Sequence, residues 1–534
     1  LARALLRIED RLSSFGMADI EIATRRRQGR RRHEDTASLP APRALRYRHL
    51  VNPLLRQPAL SADRVEALHE TALKVLEELG MRVLNAEARS IYAAAGAEVD
   101  EASRMVRIDR ALVAQALASA PSAFDMPGGS PDRTVSIVGG DHCAFVCVGG
   151  PPNVSDLDRG RRTATLADTI DIIRLSQDFD VIHLLSPNAE AQDIPLNLRH
   201  LAITEAQLVN GDKPPFIYSR GKPQVGDCIE MVRLARGLSQ AELEGSAWCY
   251  TVINTNSPRQ LDVPMCQGII DFARAGQVSV ITPFTLSGAM APVTIAGALA
   301  LQHAEALAGI VLAQLCRPGA PVVYGSFTSN VDMKSGSPAF GTPEFVKGAF
   351  GAGQLARHVG LPWRGSAATA SNMADEQSVY EFLFSAWGSI LGGVNMMIHA
   401  AGWLEGGLTA SLEKFILDIE MLQTFAEIFQ PLDASDAEIG FEALAEVAPG
   451  GHFFAAGHTM ARYQNAFYTP LVSDWRNFGQ WSEDGARSAV KRANAIWKER
   501  LARFQPPPLD EGRREALSAF VARRTAEGGA LPES

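Results

Sequence analysis

Aromatic and amide side chains gather at or just beyond the ends of five short apolar runs in the 534-residue chain: Tyr250, Asn254 and Asn256; Thr282, Pro283 and Phe284; Tyr324, Ser326 and Asp332; Trp363, Gly365 and Ser366; His399, Trp403 and Glu405. The set is poor in clustered Asp, Glu and His. That weakens any chemistry needing two carboxylates at one bond or a metal held by three strong ligands. Rings that face a cavity have two readings. One is ordinary packing. The other is a cage for a quaternary ammonium, a cation without a hydrogen-bond donor, which the negative ring faces attract by roughly 0.5–2 kcal/mol per contact. The candidate cage members are Tyr250, Phe284, Tyr324, Trp363 and Tyr380.

Other reactive patterns have local explanations. The sequence contains no G-x-x-x-x-G-K-[ST] loop, which argues against P-loop phosphotransfer, and neither G-x-S-x-G nor H-E-x-x-H. Asp156-Leu157-Asp158-Arg159-Gly160-Arg161 reads as a turn rather than a cation loop. Cys143 and Cys147 form a C-x3-C beside His142, yet Cys143-Ala-Phe-Val-Cys147 alternates like a buried strand. A structural zinc site also needs a second ligand pair, so no metal is expected. Six cysteines (Cys143, Cys147, Cys228, Cys249, Cys266, Cys316) are too sparse to staple a secreted scaffold and fit the reducing cytoplasm. An apolar share of 46% and a charged share of 21% are ordinary globular values. The net charge of −9 argues against a general nucleic-acid binder, because phosphate neutralisation needs a basic surface.

The candidate residues need a scaffold that brings them together, and the middle of the chain repeats one unit. A short apolar run, a Gly-, Pro- or Ser-rich turn and a helical pattern recur eight times, the runs near 143–148, 181–185, 214–219, 247–253, 278–283, 321–325, 362–366 and 394–398. The helical patterns lie near 165–177, 197–209, 222–236, 261–275, 292–316, 342–359, 376–390 and 411–429. Eight strands with eight following helices predict a TIM (β/α)8 barrel over 136–430, with its chemistry at the strand C-termini. One helix shows the signals: Thr342 as N-cap, Pro343 at the first position, Glu344 at the positive end of the dipole, and Phe345, Ala349, Ala352, Ala356 and Val359 down one face. The pattern near 292–316 leaves little polar face, which predicts burial all round with a second subunit, hence a homo-oligomer.

No charged residue interrupts 275–304 or 382–404, so a membrane span has to be weighed. Pro283, Ser287, Gly288 and Pro292 break the first stretch, and Gly392, Gly393, Asn395 and His399 break the second. Each reads as a buried strand joined to a buried helix, with no membrane span. Residues 59–135 read as a small N-terminal α/β layer, opened by Val65, Leu68, Ala72, Val75 and Leu79 at steps of 3 and 4 and closed by Gly80. Residues 1–58, with Arg25, Arg26, Arg27, Arg30, Arg31 and Arg32, read as a disordered or extended basic tail in which Met17 is the natural start. A C-terminal helical extension is expected over 431–505, and a polar tail over 506–534 after Pro506-Pro507-Pro508.

Several stretches together carry a family resemblance. They are Ser287-Gly288-Ala289 with Pro292–Gly297, His303–Leu315, Tyr324-Gly325-Ser326 with Asp332-Met333-Lys334, Asp375-Glu376-Gln377 leading into Tyr380-Glu381, and Gly402–Gly407. Over roughly 60–505 the chain resembles the trimethylamine methyltransferase family. The resemblance implies a TIM-barrel enzyme that moves a methyl group from a methylamine to the cobalt of a separate corrinoid protein. It also exposes a departure. The trimethylamine enzymes carry pyrrolysine at a position that falls on Ala368, or on Ala367 with the gap placed differently, and nothing electrophilic stands in Gly365–Asn372. The chain therefore resembles the non-pyrrolysine branch, which includes glycine betaine methyltransferases.

That branch implies a quaternary amine, glycine betaine or similar, as the methyl donor. Such a donor leaves as a neutral amine, so the protein needs no acid at nitrogen, only a dry aromatic pocket aligned for attack by cobalt(I). Asn372 or His399 would hold a substrate carboxylate or serve as a structural hydrogen-bonder. None of the eleven histidines has Asp two residues before it, as a resident corrinoid's D-x-H-x-x-G motif requires, so the corrinoid is expected on another protein. The loops 284–292 and 326–340, through Gly288, Ser326 and Asp332, are the candidates for meeting the corrin ring. Two alternatives stay open: the same barrel acting on another donor, such as a tertiary amine or a sulfonium, and a non-catalytic quaternary-amine-binding protein.

Overall fold

Six short strands, His142–Phe145, Tyr250–Ile253, Val278–Ile281, Val322–Gly325, Trp363–Ser366 and Met396–Ile398, run parallel; from Tyr250–Ile253 onward each pairs with the next, and the last pairs back to His142–Phe145. Two segments that make single bridges fill the remaining interval. Leu184 pairs with Val146, Phe216 pairs with Tyr250, and the Leu185 N–H donates to the Pro214 carbonyl at 3.0 Å. Each of the eight segments thus has a hydrogen-bonded neighbour on both sides, and each is followed by a helix near its expected place. The computed structural model describes residues 47–533 apart from 148, 187 and 188. The arginine cluster and Met17 lie outside the described residues.

Strand side chains alternate with period two. One parity, Ala144, Val146, Tyr250, Val278, Val280, Val323, Met396 and Ile398, forms an inner apolar cluster. The other, including Phe145, Ile253, Ile281, Tyr324, Trp363 and Met397, belongs to the cluster shared with the surrounding helices. A hairpin of Ala123–Met126 with Val135–Val138 adds Met126, Val135 and Ile137 to the inner cluster beside Ala247 and Val278, at the N-terminal ends of the strands. The inner space is thereby filled at that end. What room remains lies at the C-terminal ends.

The helix Ile295–Cys316 begins where the Thr294 hydroxyl accepts from the Gly297 N–H, and it is buried over most of its length. The expected cover by a second subunit is corrected here: the chain supplies the cover itself, through helices Ala62–Lys74, Arg110–Ser119, Val263–Arg274 and Pro343–His358. From a further helix, Ala86–Ala94, the Tyr92 hydroxyl donates to the Ala308 carbonyl at 2.8 Å. Among the described residues Ile295–Cys316 is the one helix long and apolar enough to cross a membrane, and 78% of its most apolar stretch is buried inside the protein. The N-terminal layer holds strands Met81–Val83, Glu98–Asp100 and Met105–Arg107, joined by Gln260–Leu261.

Both ends depart from the expected tails. Residues 47–58 are already part of the fold: the buried Tyr47 donates its hydroxyl to Glu427 at 2.9 Å, and Leu50–Val51 pairs antiparallel with His142–Cys143. Residues 506–534 carry the helix Glu511–Ala526, packed on Lys222–Arg236. Leu517 is fully buried with Phe520 and Val521 beside it, and Arg524 grips Asp227 at 2.8 and 3.0 Å. The spacing of those three apolar residues is a helix face, hidden in the sequence by the surrounding arginines. Over 431–505 the last helix is Ala489–Arg503, packed on Leu412–Ile428. The described residues divide into two units, 47–439 with 468–533, and Gly440–Phe467, the latter carrying the short helices Phe441–Glu446 and Gly457–Arg462.

Candidate functional site

A cavity of about 440 Å³ lies at the strand C-termini. Tyr250 and Val252, of one inward parity on the strand Tyr250–Ile253, and Asn254, just past its end, reach it in succession. Six Phe, Tyr and Trp rings line it, Phe216, Tyr218, Tyr250, Phe284, Phe327 and Trp403, together with the imidazole of His399. Phe216 meets Tyr218 and Tyr250 edge-on at 4.9 and 5.3 Å between centroids, and Phe327 meets Phe284 at 5.0 Å and Trp403 at 6.1 Å. Gly406, Gly407 and Leu408 form part of the wall, and Leu408 is 54% exposed, which marks the rim. Among the described residues no Asp or Glu side chain lines the cavity.

Two arginines do. Arg220 rests over the Tyr218 ring at 4.1 Å and binds Glu190 through both Nη atoms, at 2.6 and 3.1 Å, while Arg199 donates to the same carboxylate at 3.2 Å. Burial pushes the Glu190 carboxyl up, but Arg220 and then Arg199 outweigh it and hold the pKa below the ordinary Glu value. Arg364 sits in the strand Trp363–Ser366 and is 1% exposed. Its Nη1 donates to the Ser326 carbonyl at 2.8 Å, its Nη2 faces His399 Nε2 at 3.5 Å, and its Nε is buried without a partner among the described residues. Burial pushes this guanidinium down to about 9, so it remains a cation at neutral pH.

His399 ends the strand Met396–Ile398 in the left-handed region, at φ 60°. For a residue with a side chain this costs on the order of 1–2 kcal/mol and persists only where neighbours hold it. Ser366 Oγ lies 2.7 Å from His399 Nδ1, and the Trp403 ring centroid is 3.8 Å from that of the imidazole. Burial, then the nearby Arg364, depress the imidazole pKa well below its usual value, so it is neutral. A cation at Nε2 favours the lone pair there and the proton on Nδ1. Trp403 is fixed in turn. Its carbonyl accepts from Thr369 Oγ, and the N–H of Gly402 donates at 2.9 Å to Asp418, which pairs with Lys414 in full burial.

Of the seven binding residues expected from sequence, the structure brings Tyr250, Phe284 and His399 to the cavity. Tyr324 and Trp363 belong to the outward parity. The Tyr324 hydroxyl contacts His303 Nδ1 at 2.7 Å, and the Trp363 indole donates to Ser326 Oγ at 2.9 Å against Gly353, Gly365 and Gly392. Tyr380 is 50% exposed on the helix Glu376–Gly392, and Asn372 is exposed in the preceding loop, so neither lines the cavity. Of the corrin-facing candidates, Ser326 is buried beneath Trp363, Asp332 caps its own turn through Ser335, and Gly288, at φ 94°, lies under Met333. Sequence reasoning missed Phe216, Tyr218, Arg220, Phe327 and Arg364. The signal for the last was available, as a lone charge inside an otherwise uncharged strand.

The chain matches the family model described as trimethylamine methyltransferase (MTTB) over residues 25–529. It is 34% identical to the glycine betaine methyltransferase of Desulfitobacterium hafniense (strain Y51) over 88% of this chain and 98% of that protein. Identity to the trimethylamine methyltransferase MttB of Desulfitobacterium hafniense is 29%, over 88% and 94%. Identity to a trimethylamine methyltransferase of Methanosarcina mazei is 30%, over 86% and 94%. Among solved structures, the monomethylamine methyltransferase (MtmB) of Methanosarcina barkeri aligns with a TM-score of 0.47 at 9% identity over 89% of each chain. Since the family model spans nearly the whole chain and the curated relatives are matched almost end to end, this chain is a methyltransferase of the trimethylamine methyltransferase (MTTB) family.

Proposed function

We propose that the chain moves a methyl group from a quaternary amine, glycine betaine or a close relative, to the cobalt(I) of a separate corrinoid protein, on a (β/α)8 barrel in the cytoplasm. The observation that carries the reading is the cavity: six Phe, Tyr and Trp rings and, among the described residues, no carboxylate line a hollow at the strand C-termini. Rings without an acid are what a donor that cannot give a hydrogen bond calls for. The barrel is supported by eight segments hydrogen-bonded on both sides. A quaternary rather than tertiary donor is supported by Ala367 and Ala368, fully buried methyl groups at the place the resemblance assigns to pyrrolysine. The 34% identical relative named for glycine betaine points the same way.

The loops 284–292 and 326–340 suit a flat visiting ring. Val293, just after the first loop, and Met333 in the second are exposed at 71% and 70%, and both lie over Gly288, where a Cβ would meet the Met333 sulfur at 3.0 Å. Together they form an exposed apolar patch. When docked, the corrinoid supplies a two-electron cobalt nucleophile for the new carbon–cobalt bond. The methyl carbon–nitrogen bond breaks with its electron pair left on nitrogen, and the amine departs neutral, so no side chain has to deliver a proton. The protein's own residues then have two tasks. The rings hold the cation and keep water out, and the rigid wall of Phe284, Phe327 and Trp403 aligns one methyl with the mouth. Alignment of this kind is worth up to roughly 7–11 kcal/mol of barrier.

The test is to mix the chain with a reduced corrinoid protein and, separately, glycine betaine, trimethylamine and a sulfonium, following the visible spectrum. Methylation of cobalt with glycine betaine is the expected result. Methylation with trimethylamine alone overturns the donor, and binding without methylation by any donor makes the chain a binding protein.

A further inference from the structure

We infer that Arg364 anchors the carboxylate of a zwitterionic methyl donor, so that the site takes an onium carrying its own anion and rejects an onium without one. The inference deepens the reading above and rests on it. A guanidinium has five N–H donors. The described partners of Arg364 are one backbone carbonyl and one neutral imidazole at 3.5 Å, and its buried Nε has none. No carboxylate among the described residues pairs with it. A fully buried cation in that condition is costly unless something neutralises it, and the place next to it with room for an anion is the cavity it lines.

Arg220, in the same lining, is already bound by both oxygens of Glu190 and has no need of a second anion. The position of Arg364 also fits a donor whose charges are one short linker apart. Its guanidinium carbon is 5.2 Å from the centroid of Phe327, whose ring neighbours in the lining include Phe284 and Trp403. An anion on the guanidinium therefore leaves the attached onium against the ring wall. An onium without an anion would add a second positive charge to a dry hollow already holding an unmatched one, whereas a zwitterion adds none. His399, held by Ser366 at Nδ1, acts as a positioning residue that turns its Nε2 toward the guanidinium without competing for the anion.

Titration calorimetry on the full chain tests this with glycine betaine, its methyl ester and choline, which share the cation while the last two lack the anion. Glycine betaine is expected to bind the unmodified protein roughly a hundredfold more tightly than either. Arg364→Gln is expected to bind all three about equally, and Arg364→Lys to keep part of the preference. Equal affinity of the unmodified protein for glycine betaine and its ester, a preference that survives Arg364→Gln, or no binding of glycine betaine overturns the anchor. If Arg364→Gln does not fold by circular dichroism, the ligand comparison on the unmodified protein decides alone. A transfer assay on the same samples separates the two readings. Methyl transfer from choline at the rate of glycine betaine overturns the anchor and leaves the methyltransferase standing. Absence of transfer from every onium sinks the donor class, and the affinity ratio still decides the anchor.

Discussion

Arg220 enters the cavity with its charge already matched, its guanidinium on both oxygens of Glu190 and its plane over Tyr218, whereas Arg364 enters with a carbonyl oxygen and a neutral imidazole for company. Both line the same hollow. The difference separates two uses of a buried cation. A matched one builds structure, because removing its partner strands a charge. An unmatched one lowers the stability of the empty protein and holds that free energy for a ligand that completes it.

Removing the match gives the largest effect. Glu190→Gln should leave Arg220 and Arg199 without their common anion and cost about 3–5 kcal/mol in denaturant unfolding. Arg364→Met should do the reverse, raising the stability of the empty protein by about 1 kcal/mol while abolishing preference for a zwitterion; a loss of stability as large as that of Glu190→Gln would erase the contrast. The same comparison has a pH signature. The folded pKa of Glu190 lies below the ordinary value of 4.5, so its contribution is complete above that value and is lost as pH falls through the folded one. The stability gap between the unmodified protein and Glu190→Gln should therefore narrow in acid below about pH 4.5 and stay constant from there to neutrality.

Smaller effects sort the rings. Phe284→Ala and Trp403→Ala should each weaken onium binding by roughly 0.5–2 kcal/mol. Trp363→Phe should cost about 1 kcal/mol of stability, through the lost bond to Ser326 Oγ, without changing onium affinity. Tyr380→Ala, at a half-exposed position, should move stability by less than about 0.5 kcal/mol and leave affinity as it was. Weakened binding in either of the last two would return those rings to the cage.

The succession of runs and helices was legible because each helix carries its own cap and periodicity, as in Thr342-Pro343-Glu344, where the Thr342 hydroxyl accepts from the Phe345 N–H. The site was legible in kind rather than in membership. A strand tells which residues share a face, and not which face turns inward, so Tyr324 and Trp363 were grouped with Tyr250 although they stand on the opposite parity. Phe216 and Tyr218 come from the run near 214–219, which makes one bridge and whose inward face its sequence does not mark, and Phe327 lies beyond the run that ends at Gly325. The ends misled for a related reason. Tyr47 and Leu50 are too few to show a period, and Leu517, Phe520 and Val521 are outnumbered by arginines in their own helix.

On the proposed function, a cationic methyl donor held by these rings gives its methyl group to a cobalt carried on another protein. The most direct test of that transfer is a single turnover with glycine betaine labelled with carbon-13 on its methyl groups, the full chain and a stoichiometric cobalt(I) corrinoid protein, followed by NMR. One labelled methyl is expected to leave the N-methyl signal and to appear bound to cobalt as an equal amount of dimethylglycine forms. An unchanged N-methyl signal with the donor demonstrably bound would contradict the transfer.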